Sequence, residues 1–166
     1  MEHPYHTRQA TLADISTIHH LAAQIWEPTY SSILSQEQIN YMFEVIYTQE
    51  ALQQQMEEGQ TFLLLYMAET PVGFAAFSLK EAQDKVYKLN KIYLLPSCQG
   101  KGLGKKLITM VEAMVKQLGA VFLDLNVNRY NNAKSFYESC GYHELKQEDI
   151  PIGPYWMNDY VMRKRL

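Results

Sequence analysis

A chain of 166 residues, 47% of them hydrophobic, is long enough to close one domain around a real core and too apolar to be disordered. A net charge of −3 and a pI of about 5.9 argue against nucleic acid as a main partner and tolerate a cationic substrate. Neither Cys98 nor Cys140 has metal-ligand or CxxC spacing, the opening Met1-Glu-His-Pro-Tyr-His lacks the pattern of a secretory leader, and no apolar run is long enough to span a membrane. A reduced, cytoplasmic setting is expected. No repeat, low-complexity tract or linker divides residues 1–166, so a single domain is expected.

In chain order, residues 5–10 read as a short strand. Thr11-Leu-Ala-Asp14 is a helix start, and Ile15, Ile18, Leu21, Ala22 and Ile25 follow at helical spacing. Pro28 disfavours helix at Glu27, so a break is expected there. Ser35-Gln-Glu-Gln38 caps a second helix with Ile39, Met42, Phe43 and Ile46 on one face. Thr48 starts a third over residues 49–58, stopped by Gly59. Residues 61–67 form an apolar strand, 68–71 a turn, and 72–80 its hairpin partner. The next strand covers 85–95.

After Pro96 and a glycine-rich turn, Leu103, Leu107, Ile108, Val111, Met114, Val115 and Leu118 mark the buried stripe of a long helix that Gly119 ends. Residues 120–127 form a strand expected to run parallel to the one before that helix. Residues 131–140 form a short helix with Ala133, Phe136, Tyr137 and Cys140 on one side, closed by Gly141. Residues 142–146 and 157–163 read as closing strands around a loop at 149–154. Helices, then a hairpin, then alternating strands and helices predict a mixed sheet with helices on both faces.

The stretch from 88 to 119 organises the rest. A strand feeds a glycine-rich turn that opens a helix, a device for holding phosphate through close backbone approach and free N–H groups. Lys105 and Lys106 occupy the first turn of that helix, where each opposes the helix dipole by roughly a few tenths of a kcal/mol. The other helices start with Asp14, Glu37 and Glu50, so a bound polyanion would turn the cost at the lysines into a gain. The loop is not a Walker sequence. It also departs from the dinucleotide fingerprint, because its glycines fall at 100, 102 and 104. Asp124 follows at roughly the distance of a ribose-binding acid, but mid-strand rather than at a strand end. A nicotinamide-dependent oxidoreductase is therefore kept as a minor alternative.

The pattern Gln99-x-x-Gly102-x-Gly104 resembles the acyl-CoA pyrophosphate loop of the GNAT superfamily of acetyl-CoA-dependent N-acetyltransferases. A second motif joins it at the right separation. Leu125-Asn-Val-Asn-Arg-Tyr-Asn131-Asn-Ala-Lys-Ser-Phe-Tyr137-Glu-Ser-Cys-Gly-Tyr142 looks like that family's next strand and helix. The element order extends the likeness over nearly the whole chain. It implies an α/β (α+β) fold with a mixed, mostly antiparallel sheet of about six or seven strands. A central parallel pair, ending near Leu95 and Val127, should splay apart around the pantetheine arm of the co-substrate acetyl-CoA.

The resemblance also assigns roles. Backbone N–H groups from Gly100 through Gly104, with Leu103 among them, would hold the pyrophosphate, and Gln99, Lys101 and Lys105 would flank it. The strand at Ile92, Tyr93 and Leu94 would pair with the pantetheine amides as an added strand does. A backbone N–H near Tyr93 or Leu94 would stabilise the oxyanion. Asn131 is either a plain N-cap or a cap that also touches the cofactor, and Lys134 is grouped with the cofactor contacts. Tyr137 matches the family's general acid, since a phenol of pKa about 10 can donate to a thiolate whose thiol has a pKa of about 8.5. The run leading to it is slightly shorter than in many relatives, which puts the start of its helix in question.

An ammonium acceptor must also lose a proton. Glu27, Glu44, Asp149 and Asp159 are the candidate carboxylates, with Glu27 and Asp159 foremost. Glu27 sits where the first helix is expected to break, and Asp159 lies in the aromatic stretch Tyr155-Trp-Met-Asn-Asp-Tyr160. The neighbouring His19 and His20 point about 100° apart on a helix and do not form a metal site. The expected function is acetyl transfer to a small primary amine by direct transfer in a ternary complex. The segments 26–30 and 155–162 are similar to those of bacterial polyamine acetyltransferases. A protein N-terminus or an antibiotic amine as acceptor, a non-catalytic acyl-CoA-binding module, and a homodimer all stay open.

Overall fold

A computed structural model of the chain describes residues 4–166; the first three residues of the stretch read above for a leader lie outside them. Strand β1 (Tyr5–Gln9) is followed by a single 3-10 turn and three helices, α1 (Ile15–Tyr30), α2 (Gln36–Tyr47) and α3 (Gln49–Glu57). Strands β2 (Thr61–Met67), β3 (Thr70–Glu81) and β4 (Val86–Leu94) come next. Helix α4 (Leu103–Gln117), strand β5 (Phe122–Asn128) and helix α5 (Ala133–Ser139) lead to strands β6 (His143–Ile152) and β7 (Tyr155–Arg165).

Local chemistry sets most of these ends. Thr11 and Asp14 form a reciprocal capping box ahead of α1, and the hydroxyls of Ser35 and Thr48 accept from the first turns of α2 and α3. Helix α1 does not break at Glu27. It runs through Pro28 to Tyr30, and the N–H of Ser31 still closes on the carbonyl of Glu27 at 2.9 Å. Pro28 and Gln24, whose carbonyl loses its partner, are both exposed, and one half-turn of helix remains beyond the ring. Water can satisfy that carbonyl, so proline costs less here than in a buried helix.

Among the described residues the sheet has seven strands in the order β1-β2-β3-β4-β5-β7-β6. Every neighbouring pair is antiparallel except β4 and β5, which are parallel. The segment expected to be a loop at 149–154 is instead the end of a long hairpin. Ile150 pairs with Met157 and Ile152 with Tyr155 across a turn at Gly153 and Pro154. Pro151 is tolerated because β6 is an edge strand whose outer side needs no N–H. Gly153 has φ +56° and lies against the ring of Tyr41, so the hairpin tip docks on α2. Gln38 donates to the carbonyl of Trp156 at 2.8 Å and fixes the same contact.

Two apolar layers sandwich the sheet. On one face Ile18, Leu21, Ile25, Trp26, Met42 and Leu52 of α1–α3 pack on Phe62, Leu64, Phe74 and Ala76. On the other, Leu107, Ile108, Val111 and Val115 of α4 pack on Phe77, Leu89, Leu123 and Leu125. Strand β5 turns Leu123, Leu125 and Val127 into the α4 layer, so its alternate residues Asp124, Asn126 and Asn128 form a polar strip on the opposite face. Asp124 is wholly buried there. Burial works to raise its carboxyl, but hydrogen bonds from Arg163 and Lys80 at 2.7 Å each overcome it and hold the group below the usual range.

The parallel pair is short. Val86 to Leu89 lie beside Phe122 to Leu125, and there the pairing stops. At the same point β4 carries a bulge, because Leu89 and Lys91 face consecutive residues of β3 and Asn90 faces none. The Asn90 amide bonds Ser78 Oγ at 2.8 Å and holds the extra residue in place. A bulge bends its strand and increases its twist, which here carries the rest of β4 away from β5. It also switches the alternation of side chains. Tyr87, Leu89 and Ile92 face the α4 layer, whereas Tyr93 faces the α1–α3 layer.

Candidate active site

The parting of β4 and β5 leaves a wedge. Beyond Asn90, β4 is bonded to β3 along one edge as far as the pair Gly73–Leu94. Its other edge, at Ile92, Tyr93 and Leu94, has no strand beside it. Those backbone groups are free to pair with an extended ligand.

At the wide end of the wedge, α4 begins without a side-chain cap. Its N-cap is Gly102, with φ +78°, and Gly100 has the same φ. These left-handed residues turn the backbone so that successive N–H groups face one concavity, which suits an anion. Lys101, Lys105 and Lys106 are exposed and make no ion pair among the described residues. Leu103 is buried in the core, Gly104 lies against Phe136 of α5, and the Gln99 amide reaches back to the carbonyl of Leu94 at 3.4 Å. An uncapped helix end with unpaired cations fits a diphosphate, which would offset the unfavourable lysines of the first turn.

Helix α5 starts at Ala133, two residues later than expected. Asn131 Oδ1 accepts from the N–H of Ala133 at 2.9 Å, so its side chain does serve the helix start. The ring of Tyr137 belongs to the α4-side core, 5.3 Å from the ring of Phe136 and 6.2 Å from that of Tyr142. Its hydroxyl makes no hydrogen bond among the described residues. Burial above all, and then the nearby Tyr30 phenol, push Tyr137 well above its usual value of 10, so it is a protonated donor at neutral pH. Tyr30 belongs to the opposite layer, so the two phenols lie on either side of the sheet.

Asp159 lies on β7, paired with Asn128 of β5, and is 6% exposed. Asn126 donates to its Oδ2 at 3.2 Å, while Oδ1 is buried with no partner among the described residues. Burial raises its carboxyl above the ordinary range, against the hydrogen bond from Asn126 and the charges of Lys88 and Arg129. A buried carboxylate with an unused oxygen and weakened acidity is equipped to accept a proton.

The family described as "Acetyltransferase (GNAT) domain" matches residues 30–157. The chain belongs to the GNAT acetyltransferase family. Within it, the spermidine N(1)-acetyltransferase of Thermoplasma acidophilum is 29% identical over 164 residues, 95% of each chain. The solved structure of PaiA N-acetyltransferase from the same organism, in complex with coenzyme A, superposes with a TM-score of 0.81 at 27% identity over 100% of both chains. A GCN5-related N-acetyltransferase from Rhodopseudomonas palustris shares the fold, with a TM-score of 0.83 at 22% identity over 100% of this chain and 98% of its own. As a GNAT enzyme the protein is an acyltransferase that uses acetyl-CoA as co-substrate.

The fold buries Tyr137 and Asp159, but not every residue named from sequence. Glu27 is exposed on the outer side of α1, because the helix continues where a loop was expected. With Glu44 and Asn40 it lines a separate cleft of about 330 Å³ between α1 and α2. Asp149 is exposed and tied to Arg129 at 2.6 Å. Lys134 is drawn toward β6 and β7. It pairs with Glu144 at 3.2 Å and lies 4.2 Å from the centroid of the Tyr160 ring. Cys98 is buried in a small cluster with Leu65, Val72 and Leu103, filling space beneath the loop. Asp124 is committed to Lys80 and Arg163 and is closed to a ribose. No helix among the described residues is long and apolar enough to cross a membrane.

Proposed function

We propose that this enzyme acetylates a primary amine of a small, polyamine-like cation by direct transfer, acting as a single domain. The observation that carries the reading is the unpartnered, buried Oδ1 of Asp159, on β7 next to the strand that borders the wedge. It receives the acceptor's positive charge and then its proton. The likeness to a spermidine N(1)-acetyltransferase over nearly the full length of both chains supports the same acceptor class.

Bound acetyl-CoA supplies a thioester whose acyl carbon is the electrophile. The backbone around Gly100, Gly102 and Gly104 holds its diphosphate, with Lys101 and Lys105 adding charge. The free edge of β4 orients the chain that follows, and a backbone N–H near Tyr93 or Leu94 faces the carbonyl oxygen as negative charge develops there. Asp159 takes a proton from the ammonium, because an amine of pKa about 10.4 is otherwise mostly charged and not nucleophilic. As the tetrahedral adduct collapses, Tyr137 gives its proton to the departing sulfur and recovers one from the acylated nitrogen, which leaves a neutral amide and a neutral phenol.

The test is to incubate the protein with acetyl-CoA and spermidine, spermine, an alanine-initiated peptide or an aminoglycoside, and to follow free thiol. Release with the polyamines above the other acceptors is expected. Preference for the peptide or the antibiotic, or no release above the rate of hydrolysis, would overturn the acceptor assigned here.

A further inference from the structure

Tyr30 is the last residue of α1 and Tyr93 lies in the free half of β4, and their hydroxyls meet at 3.0 Å. Tyr30 is 7% exposed. Both rings are fixed by packing. Trp26, one turn earlier in α1, has its ring centroid 4.6 Å from that of Tyr30 and 6.2 Å from that of Tyr93, and Phe74 lies 5.7 Å from Tyr93. A single contact between two hydroxyls uses one proton and one lone pair, so the pair keeps hydrogen-bonding capacity in reserve.

That reserve has a direction. Burial first, then Tyr93 and the Asp159 carboxylate, hold the Tyr30 phenol far above its ordinary value, and Tyr30 in turn acts on Tyr137. Along the ladders Tyr93 and Asn128 stand level, each three positions beyond the last pair Leu89–Leu125, and Asn128 pairs with Asp159, which turns to the α1–α3 face as Met157 does two residues before it. Asp159 Oδ1 is a second acceptor on the same side, buried and without a donor. Two acceptors held in a dry site, each lacking a donor, match the hydrogens of an ammonium.

We propose that Tyr30 contacts the substrate: its phenol oxygen, anchored by the Tyr93 hydroxyl, and Asp159 Oδ1 together form a seat for the nitrogen of the incoming primary amine. This rests on the amine-acetyltransferase reading above and adds to it a binding residue. Tyr30 donates to Tyr93 and turns its lone pairs toward the nitrogen. One ammonium hydrogen bonds to Tyr30 and stays on nitrogen. A second passes to Asp159 Oδ1, which frees the nitrogen lone pair for the thioester. Tyr30 keeps its own proton throughout, so no charge is left on a buried phenol.

The experiment is calorimetric titration of spermidine into the coenzyme A-loaded protein, wild type and Tyr30→Phe, with acetyl-CoA turnover measured beside it. Loss of one hydrogen bond to a charged donor should weaken spermidine binding about tenfold, with coenzyme A affinity within about twofold of wild type. Tyr93→Phe, which only unfastens Tyr30, should weaken it less, and the double variant should be no worse than Tyr30→Phe alone. Unchanged spermidine affinity in Tyr30→Phe, or additive losses in the double variant, would overturn the seat. So would a wild type that binds no spermidine. A wild type that binds spermidine through Tyr30 yet acetylates no amine would leave the seat standing and remove the enzymatic reading on which it was built.

Discussion

Lys91 should be a liability that the protein is better off without at neutral pH. It lies in β4 just past the bulge, 7% exposed, with Nζ donating to Gln60 Oε1 at 2.8 Å and lying 5.1 Å from the centroid of the Phe62 ring. No carboxylate pairs with it among the described residues. Burial, helped by Lys88, lowers its pKa from 10.5 to about 7. At about 1.36 kcal/mol per pH unit that gap represents about 5 kcal/mol of unfavourable charge burial. Lys91→Met removes it and gives up the hydrogen bond to half-buried Gln60, worth about 1 kcal/mol, for a net gain of about 4 kcal/mol at pH 7 and below. The folded state sheds this proton before the unfolded chain does. Wild-type stability therefore climbs from pH 7 toward 10.5 by about 1.36 kcal/mol per unit, and the advantage of the variant fades over the same window. Urea unfolding of both proteins at about pH 7.5 and 9.5 should show the difference shrinking by about 2.7 kcal/mol. A difference that does not change with pH, or a variant less stable than wild type at pH 7, would refute the assignment of a strained, buried ammonium.

Three further outcomes are expected. Tyr137→Phe should lower kcat by about a hundredfold or more with acetyl-CoA affinity retained, read by thiol release and calorimetry; an unchanged kcat removes the acid role. Because the carboxyl of Asp159 is raised by burial, kcat should fall as pH drops through a value above the usual carboxylate range near 3.8. In Asp159→Asn the rate should be low and that limb absent; if the limb persists, another group takes the proton. Gly102→Ala forces a side chain onto φ +78° and should cost about 1–2 kcal/mol in thermal unfolding and raise the KM for acetyl-CoA, with little change in the KM for the amine.

Features that rest on near neighbours could be read from the sequence. Ser35 and Thr48 announce their helices because each hydroxyl bonds a backbone N–H three residues on. The glycine loop and the α4 stripe were equally plain, and they carry the family resemblance to its members. What escaped depended on distant partners. Pro28 reads as a stop, yet its missing bond falls on an exposed carbonyl that water can reach. The strand character of residues 149–152 comes from pairing with β7 and from the dock on α2, and Pro151 and Gly153 hide it. The bulge at Asn90 leaves no mark, since one extra residue disturbs no local pattern. Tyr30 stays hidden in the sequence because Pro28 masks the last turn of its helix. The spacing of Trp26 and Tyr30, four residues apart on a continuous helix, was the available signal.

The unpaired residue at position 90 means that the length of β4 matters more than most of its letters. Leu89 and Lys91 already face consecutive residues of β3, so deleting Asn90 would leave every downstream side chain on its present side and take away only the bend. Straightened, β4 would run on beside β5, and the edge at Ile92, Tyr93 and Leu94 would be filled by a neighbouring strand instead of standing open. Any single substitution in this strand leaves that frame intact. An insertion or deletion here is the change that would dismantle the chemistry while leaving nearly every residue of the site unaltered.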